Sequence, residues 1–196
     1  MAQPTTTFLD ELMAAARGCV ALLVGNRQAP SYFDFSQRGL VGSLIALVIG
    51  LAVQAFGPQL LGVTEGSAGG SAVVILGGIM LAVEIGVAYA VLRILSRGEE
   101  LVPFIVVQNW TVMIQGVIAL IITAVFGPPF AVDPATKMAE FTNGTLPYLV
   151  LGIAALIVWV NSARLILTLR PKHVALFVAA QLTAALLIPP MLGVMV

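Results

Sequence analysis

AVVILGGIMLAVEIGVAYAVL, residues 72–92, decides the fold. A hydrocarbon core of about 30 Å needs roughly 20 consecutive apolar residues when each rises about 1.5 Å along a helix. This run has that length, and one acid, Glu84, sits deep inside it. Gly78, Ala82, Gly86 and Ala90 recur every fourth residue, a stripe of small side chains on one face. Such a stripe lets a neighbouring backbone approach, so that dispersion contacts replace the hydrophobic drive that lipid cannot supply. Glu84 points away from the stripe and shares a face with Gly77, Leu81, Ala88 and Val91. The helix is therefore expected to offer two faces to its neighbours and to sit centrally.

Composition says the same of the whole chain. Its 196 residues are 60% hydrophobic and 9% charged, where soluble domains run at about 45–50% and about 25%. A transmembrane β-barrel is excluded, because its strands alternate and are only about 9–11 residues long. Zero formal net charge leaves no electrostatic footprint for nucleic acid. A single cysteine, Cys19, rules out an internal disulfide, and a single histidine, His173, argues against a histidine-built metal site. No P-loop, dinucleotide fingerprint or nucleophile elbow is present. The expectation is a protein without enzymatic activity, cofactor or metal. Its partners would be the lipid bilayer and other membrane proteins or a second copy of itself.

Reading outward gives five spans: 39–56, 72–92, 101–126, 146–169 and 174–196. The first carries its own stripe, Gly42, Ala46 and Gly50, expected to pack antiparallel against the stripe of the second. Gly57-Pro58 and Gly127-Pro128 should end spans one and three. Pro189-Pro190 should stop or kink the fifth near Ile188, since proline removes a donor and clashes with the preceding turn. Between spans three and four, Asp133, Pro134 and Asn143-Gly144 bracket a predicted short helix.

Ahead of the spans, residues 1–38 form an arm. Thr7 and Asp10 suggest a capping box, and Leu9, Leu12, Met13, Ala16, Val20 and Leu23 share one helical face over 8–24. Two readings of this helix stand: it lies in the membrane surface, or it packs on the bundle. Tyr32, Phe33 and Phe35 look like an aromatic anchor at headgroup level. No cleavable signal peptide is expected, because Asp10 and Glu11 come early and the first apolar run is short. Arg17, Arg27, Arg38, Arg93, Arg97, Arg164, Arg170 and Lys172 fall on one side of this layout and Lys137 alone on the other. That bias puts the N-terminus in the cytoplasm and the C-terminus outside.

Polar groups inside the spans are few. Placing a charge at the bilayer centre costs about 2.5–3.5 kcal/mol on insertion scales. Glu84 lies nine residues before Arg93, about 13 Å along the helix, too deep to snorkel easily. Gln108, Asn109, Gln115, Asn161 and Arg164 are its candidate partners. The cluster reads either as a proton- or ion-coupled site or as a buried polar clamp that fixes helix register.

An arm beginning FLDELMAAARG (8–18), an aromatic entry PSYFDFSQRGLVGSLIALVIG (30–50) and five spans with an outside C-terminus together resemble the Yip family of five-span membrane proteins, in its bacterial branch. The resemblance implies an all-α integral membrane fold with an N-terminal interfacial helix, placed in a bacterial inner membrane. The acidic-Leu-Tyr-Gly-Pro segment of the eukaryotic branch is absent. The layout therefore carries over, while the trafficking role and every functional residue do not. The resulting expectation is a scaffold or accessory subunit of a membrane complex. The alternative is a small oligomeric proton- or ion-coupled transporter or channel using Glu84.

Overall fold

The computed structural model describes residues 7–62, 70–132, 136 and 138–191. Helix α1 (Phe8–Leu23) leads through a 3-10 turn (Ala29–Tyr32) to α2 (Gln37–Leu60), α3 (Gly70–Ile94) and α4 (Leu101–Phe126). A two-stranded ribbon, β1 (Phe130–Val132) and β2 (Ala139–Phe141), precedes α5 (Thr145–Asn161) and α6 (Pro171–Met191). The fold is nearly all helical. Four of its helices, Gln37–Leu60, Val74–Ile94, Gly98–Phe126 and Thr145–Ile166, are long and apolar enough to cross a membrane. The apolar part of α6, Pro171–Leu187, is shorter, and residues 192–196 of the expected fifth span lie outside the described residues.

Helix ends follow local chemistry. Thr7 and Asp10 form the expected capping box: the Asp10 N–H donates to Thr7 Oγ1 at 3.2 Å, and the Thr7 N–H donates to Asp10 Oδ2 at 2.9 Å. Those bonds hold the Asp10 carboxyl below its usual range. Gly127 closes α4 at φ +84, a conformation that a side chain would strain. Pro58 does not end α2. It lies within the helix, which continues through Gln59 to Leu60. A proline this close to a helix end forfeits one hydrogen bond and leaves little helix to disrupt. Similarly, α6 continues through Pro189-Pro190 to Met191 and does not stop at Ile188.

Two further expectations are corrected. The short helix foreseen after span three is a ribbon. Phe130 pairs with Phe141, Ala131 with Glu140 and Val132 with Ala139, and the two rings lie 5.6 Å apart. So short a helix is costly to nucleate, whereas an aromatic cross-strand pair stabilises a ribbon directly. Asp133 and Pro134 lie outside the described residues. The fourth span does not run as one α-helix to 169. After Asn161 it widens into a π-turn, Ser162–Ile166, and residues 167–170 are non-helical.

The stripe of α2 is fully used, though not by α3. Gly39, Gly42, Ser43, Ala46, Gly50, Ala55 and Gly57 are its buried residues, all of them small. A Cβ on Gly50 would stand 2.6 Å from the Met113 Cα, and one on Gly57 would stand 2.6 Å from Leu120 Cδ1. Residue numbers rise together along this contact, so α2 and α4 run parallel. The stripe of α3 has no partner among the described residues. A Cβ on Gly78 or Gly86 would meet nothing within 4 Å, and Ala82 and Ala90 are exposed. The opposite face of α3, with Leu81, Ala88, Val91 and Leu92, is the buried one.

Helix α1 packs on the bundle, mostly through its small residues, with Leu22 buried among them and Phe8 and Leu12 half-buried at the edge. Ala15, Gly18, Cys19, Ala21 and Leu22 are buried, and the Phe33 ring closes over Gly18. Leu9, Met13, Val20 and Leu23 of the expected apolar face stay exposed. Close approach selects the narrow face of the helix over the bulky one. Two apolar clusters result. One joins Leu22, Phe33 and Ala46 to Val106, Trp110 and Met113; the other joins Ala88 and Leu92 to Phe104, Leu167 and Phe177.

Candidate functional site

The six polar residues singled out along the spans do not converge on one point. Glu84 and Gln108 do meet: Gln108 Nε2 donates to Glu84 Oε2 at 2.9 Å. Asn109, one residue further on, faces away and donates to Ser43 Oγ at 3.1 Å on α2. Asn161 reaches α1, where its Nδ2 donates to the Leu22 carbonyl at 2.7 Å. Arg164 donates to Asn161 Oδ1 at 3.2 Å and is exposed, so it does not pair with Glu84. Gln115 lines an apolar groove between α1, α4 and α5 with Cys19, Ile114, Leu151 and Val158.

Each pair ties a different helix junction. Ser43–Asn109 locks the parallel α2–α4 seam. Leu22–Asn161 anchors the end of α1 on α5 just before the π-turn. Glu84–Gln108 joins α3 to α4. Buried polar groups of this kind are costly unless bonded, so each pair favours one register over its neighbours.

Sequence reasoning missed the third member at Glu84. Gln181 on α6 donates from Nε2 to the Glu84 backbone carbonyl at 3.0 Å, and the residue is 4% exposed. Its signal was available: Gln181 and Thr183 are the only polar residues in α6 after His173. Glu84, Gln108 and Gln181 line a partly open cavity of about 10 Å³ together with Phe104, Trp159, Phe177 and Val178. The two phenylalanine rings meet edge to face at 5.4 Å and form an apolar wall.

Cys19 is buried on α1, with Sγ 3.8 Å from Thr111 Oγ1. Burial pushes its thiol up to about 11, against a smaller opposing effect from the Thr111 contact. It is a packing residue rather than a nucleophile. At the turns, Arg97 acts as a clamp. Its Nη2 lies 2.6 Å from Glu100 Oε1 and donates to Thr168 Oγ1 at 2.7 Å and to the Leu167 carbonyl at 3.2 Å. The bond to Glu100 raises the guanidinium's proton affinity further. Thr168 sits at φ +48, and Ser96 at φ +56. For a β-branched residue such as Thr168 that is strained backbone, held here by the clamp.

These features define a helical protein whose apolar rods suit a membrane and whose polar side chains join rod to rod. No family model, no curated protein and no solved structure matches the chain.

Proposed function

We propose that this chain is a non-enzymatic integral membrane protein that acts as a scaffold or accessory subunit, docking another transmembrane helix on α3. In this reading α6, with the residues that follow it, is a fifth span. The exposed Leu9, Met13 and Val20 of α1 meet lipid at the inner surface. The N-terminus is cytoplasmic, the C-terminus is outside, and the layout is Yip-like in a bacterial inner membrane. One observation carries the docking role. Gly78 and Gly86 have open space where a Cβ would stand, flanked by exposed Ile75, Ile79 and Tyr89. A small-residue stripe on a membrane helix gains its contacts only when a second helix covers it.

The test uses the full chain in nanodiscs. Wild type is expected to run as a complex, with itself or with a co-purified membrane protein. Gly86→Leu is expected to keep the melting temperature and lose the complex. If the variant and wild type assemble alike, the docking role fails.

A second reading, proton- or ion-coupled transport through Glu84, is favoured by the lack of any salt-bridge partner for Glu84 among the described residues. Against it stands the scatter of the other polar groups over separate junctions. A pH-dependent flux in proteoliposomes that Glu84→Gln abolishes, with assembly intact, would replace the scaffold reading.

A further inference from the structure

We propose that the groove between α1, α4 and α5 holds one acyl chain of an anionic phospholipid, whose headgroup phosphate meets Arg17. The site rests on the membrane reading alone. No residue of α3 is among its described lining residues, so it stands whether or not the α3 stripe or Glu84 has a partner.

The groove is apolar and partly open. Ile114 and Ile118 of α4 and Leu151 and Val158 of α5 line a space of about 200 Å³, and Val20 and Leu23 of α1 complete it. Thr111 spends its hydroxyl on the Val107 carbonyl at 2.8 Å. The space exists because Ala16, Ala154 and Ala155, which also line it, are too small to fill it. An apolar hollow stays dry, and an empty one forfeits dispersion contacts with its walls. In a membrane the material at hand is hydrocarbon. From Thr111 to Ile118 the groove follows two turns of α4, about 10 Å, which suits an extended chain. An α-helix, about 10–12 Å across, is too thick for it.

A second hollow adjoins the first. Ala16 and Val20 line both. The second is wider, about 440 Å³, and its polar lining residues are Arg17, Asn26 and Tyr32. Arg17 follows Ala16 by one residue, about 100° round the helix, so it serves the second hollow and not the groove. A lipid lying over Ala16 and Val20 has its tail on one side of that ridge and its headgroup on the other.

Charge selects the headgroup. Arg17 is exposed and makes no ion pair among the described residues. The same holds for Arg27, beside Asn26 in the loop. Asn26 accepts the Gln28 N–H on Oδ1 at 2.9 Å, which leaves its Nδ2 as a donor. Among the described residues no acid lines either hollow. The acids of α1 are engaged elsewhere: Asp10 caps the helix start, and Glu11 lies 3.6 Å from Arg38. Cationic and neutral donors with no anion among them match a phosphate, and a basic pocket opening onto an apolar groove matches a phosphate that carries a tail.

The experiment uses the full chain, purified in mild detergent and stripped of lipid. Phosphatidylglycerol or phosphatidylcholine with identical acyl chains is added back, and bound lipid per chain is counted by native mass spectrometry. Wild type is expected to retain one phosphatidylglycerol and to hold phosphatidylcholine at least about fivefold more weakly. Arg17→Gln, an exposed change that should fold normally, is expected to weaken phosphatidylglycerol about fivefold and leave phosphatidylcholine unaltered. Ala155→Phe fills the groove from α5 and Ala16→Phe fills it from α1; each should lose both lipids. Two variants on different helices separate a filled groove from a misfolded chain, since circular dichroism and elution volume should match wild type in at least one. Equal retention of the two lipids by wild type overturns the headgroup site. Undiminished retention in both filled variants overturns the groove, and so does a wild-type dimer that carries no lipid, which would assign the space to side chains of a second copy.

Discussion

Helices α2 and α3 carry the same device and use it differently. Each has glycine or alanine at four-residue spacing. On α2 the device is filled: Met113 and Leu120 of α4 press against Gly50 and Gly57. On α3 the matching positions open outward, with nothing among the described residues within 4 Å of a Cβ on Gly78 or Gly86. The difference lies in the facing helix. Helix α4 brings its own glycine, Gly116, to the seam, where a Cβ would stand 3.3 Å from the Gly50 carbonyl. It also supplies Asn109 to bond Ser43. Small residues on one side permit close approach; small residues and a polar latch on both sides secure it.

The largest effect should come from the filled stripe. Gly50→Leu has no room against the Met113 backbone and is expected to abolish the folded state in detergent. Gly50→Ala should cost about 1–3 kcal/mol, the usual range for overpacking, read as a lowered unfolding midpoint. If Gly50→Ala is neutral, the tight α2–α4 seam is wrong. The same changes on α3 should leave folding almost untouched. Gly86→Leu should shift stability by no more than about 0.5 kcal/mol.

A third experiment asks how tightly α1 seals the filled side. With its thiol pushed up to about 11, Cys19 should react with maleimide at neutral pH roughly 300-fold more slowly than an ordinary cysteine, which titrates at about 8.5. Leu22→Ala should speed that reaction by loosening α1. A fast wild-type reaction would mean that α1 is undocked. On the α3–α6 side, Arg97→Ala removes the clamp on Leu167 and Thr168, and faster amide exchange across 167–169 is the expected readout. The smallest effect belongs to the α1 cap. The Asp10 carboxyl is held below its usual range, so its contribution is present above the unfolded value and lost as pH falls through the folded one. Asp10→Asn should flatten that weak acid dependence of α1 helicity and change little at neutral pH.

Much of this architecture was legible in the residues. Long apolar runs with glycine, proline or charge between them located four long helices to within a few positions. The neighbours were not legible, for a physical reason. In water, a helix announces its buried face by hydrophobic periodicity. Here every face of a rod is apolar, and Gly78–Ala90 looks like Gly42–Gly50. Glu84 stood out because a charge in an apolar run is expensive, but depth alone offered five partners, Gln108, Asn109, Gln115, Asn161 and Arg164, and only Gln108 meets it. Gln181 escaped notice because a lone glutamine in an apolar helix gives no direction. The ribbon at Phe130 and Phe141 was hidden by capping residues that favour a helix locally, while strand pairing depends on residues meeting across the loop.

The π-turn at Ser162–Ile166 accommodates more residues per turn than an ordinary helix. Removing one residue from it would restore α-helical spacing and rotate everything beyond by about 100°. The Thr168 hydroxyl would then swing away from Arg97, and the entry to α6 would turn with it. That widened turn therefore works as a phase adjuster, setting the angle at which the last helix meets Glu84.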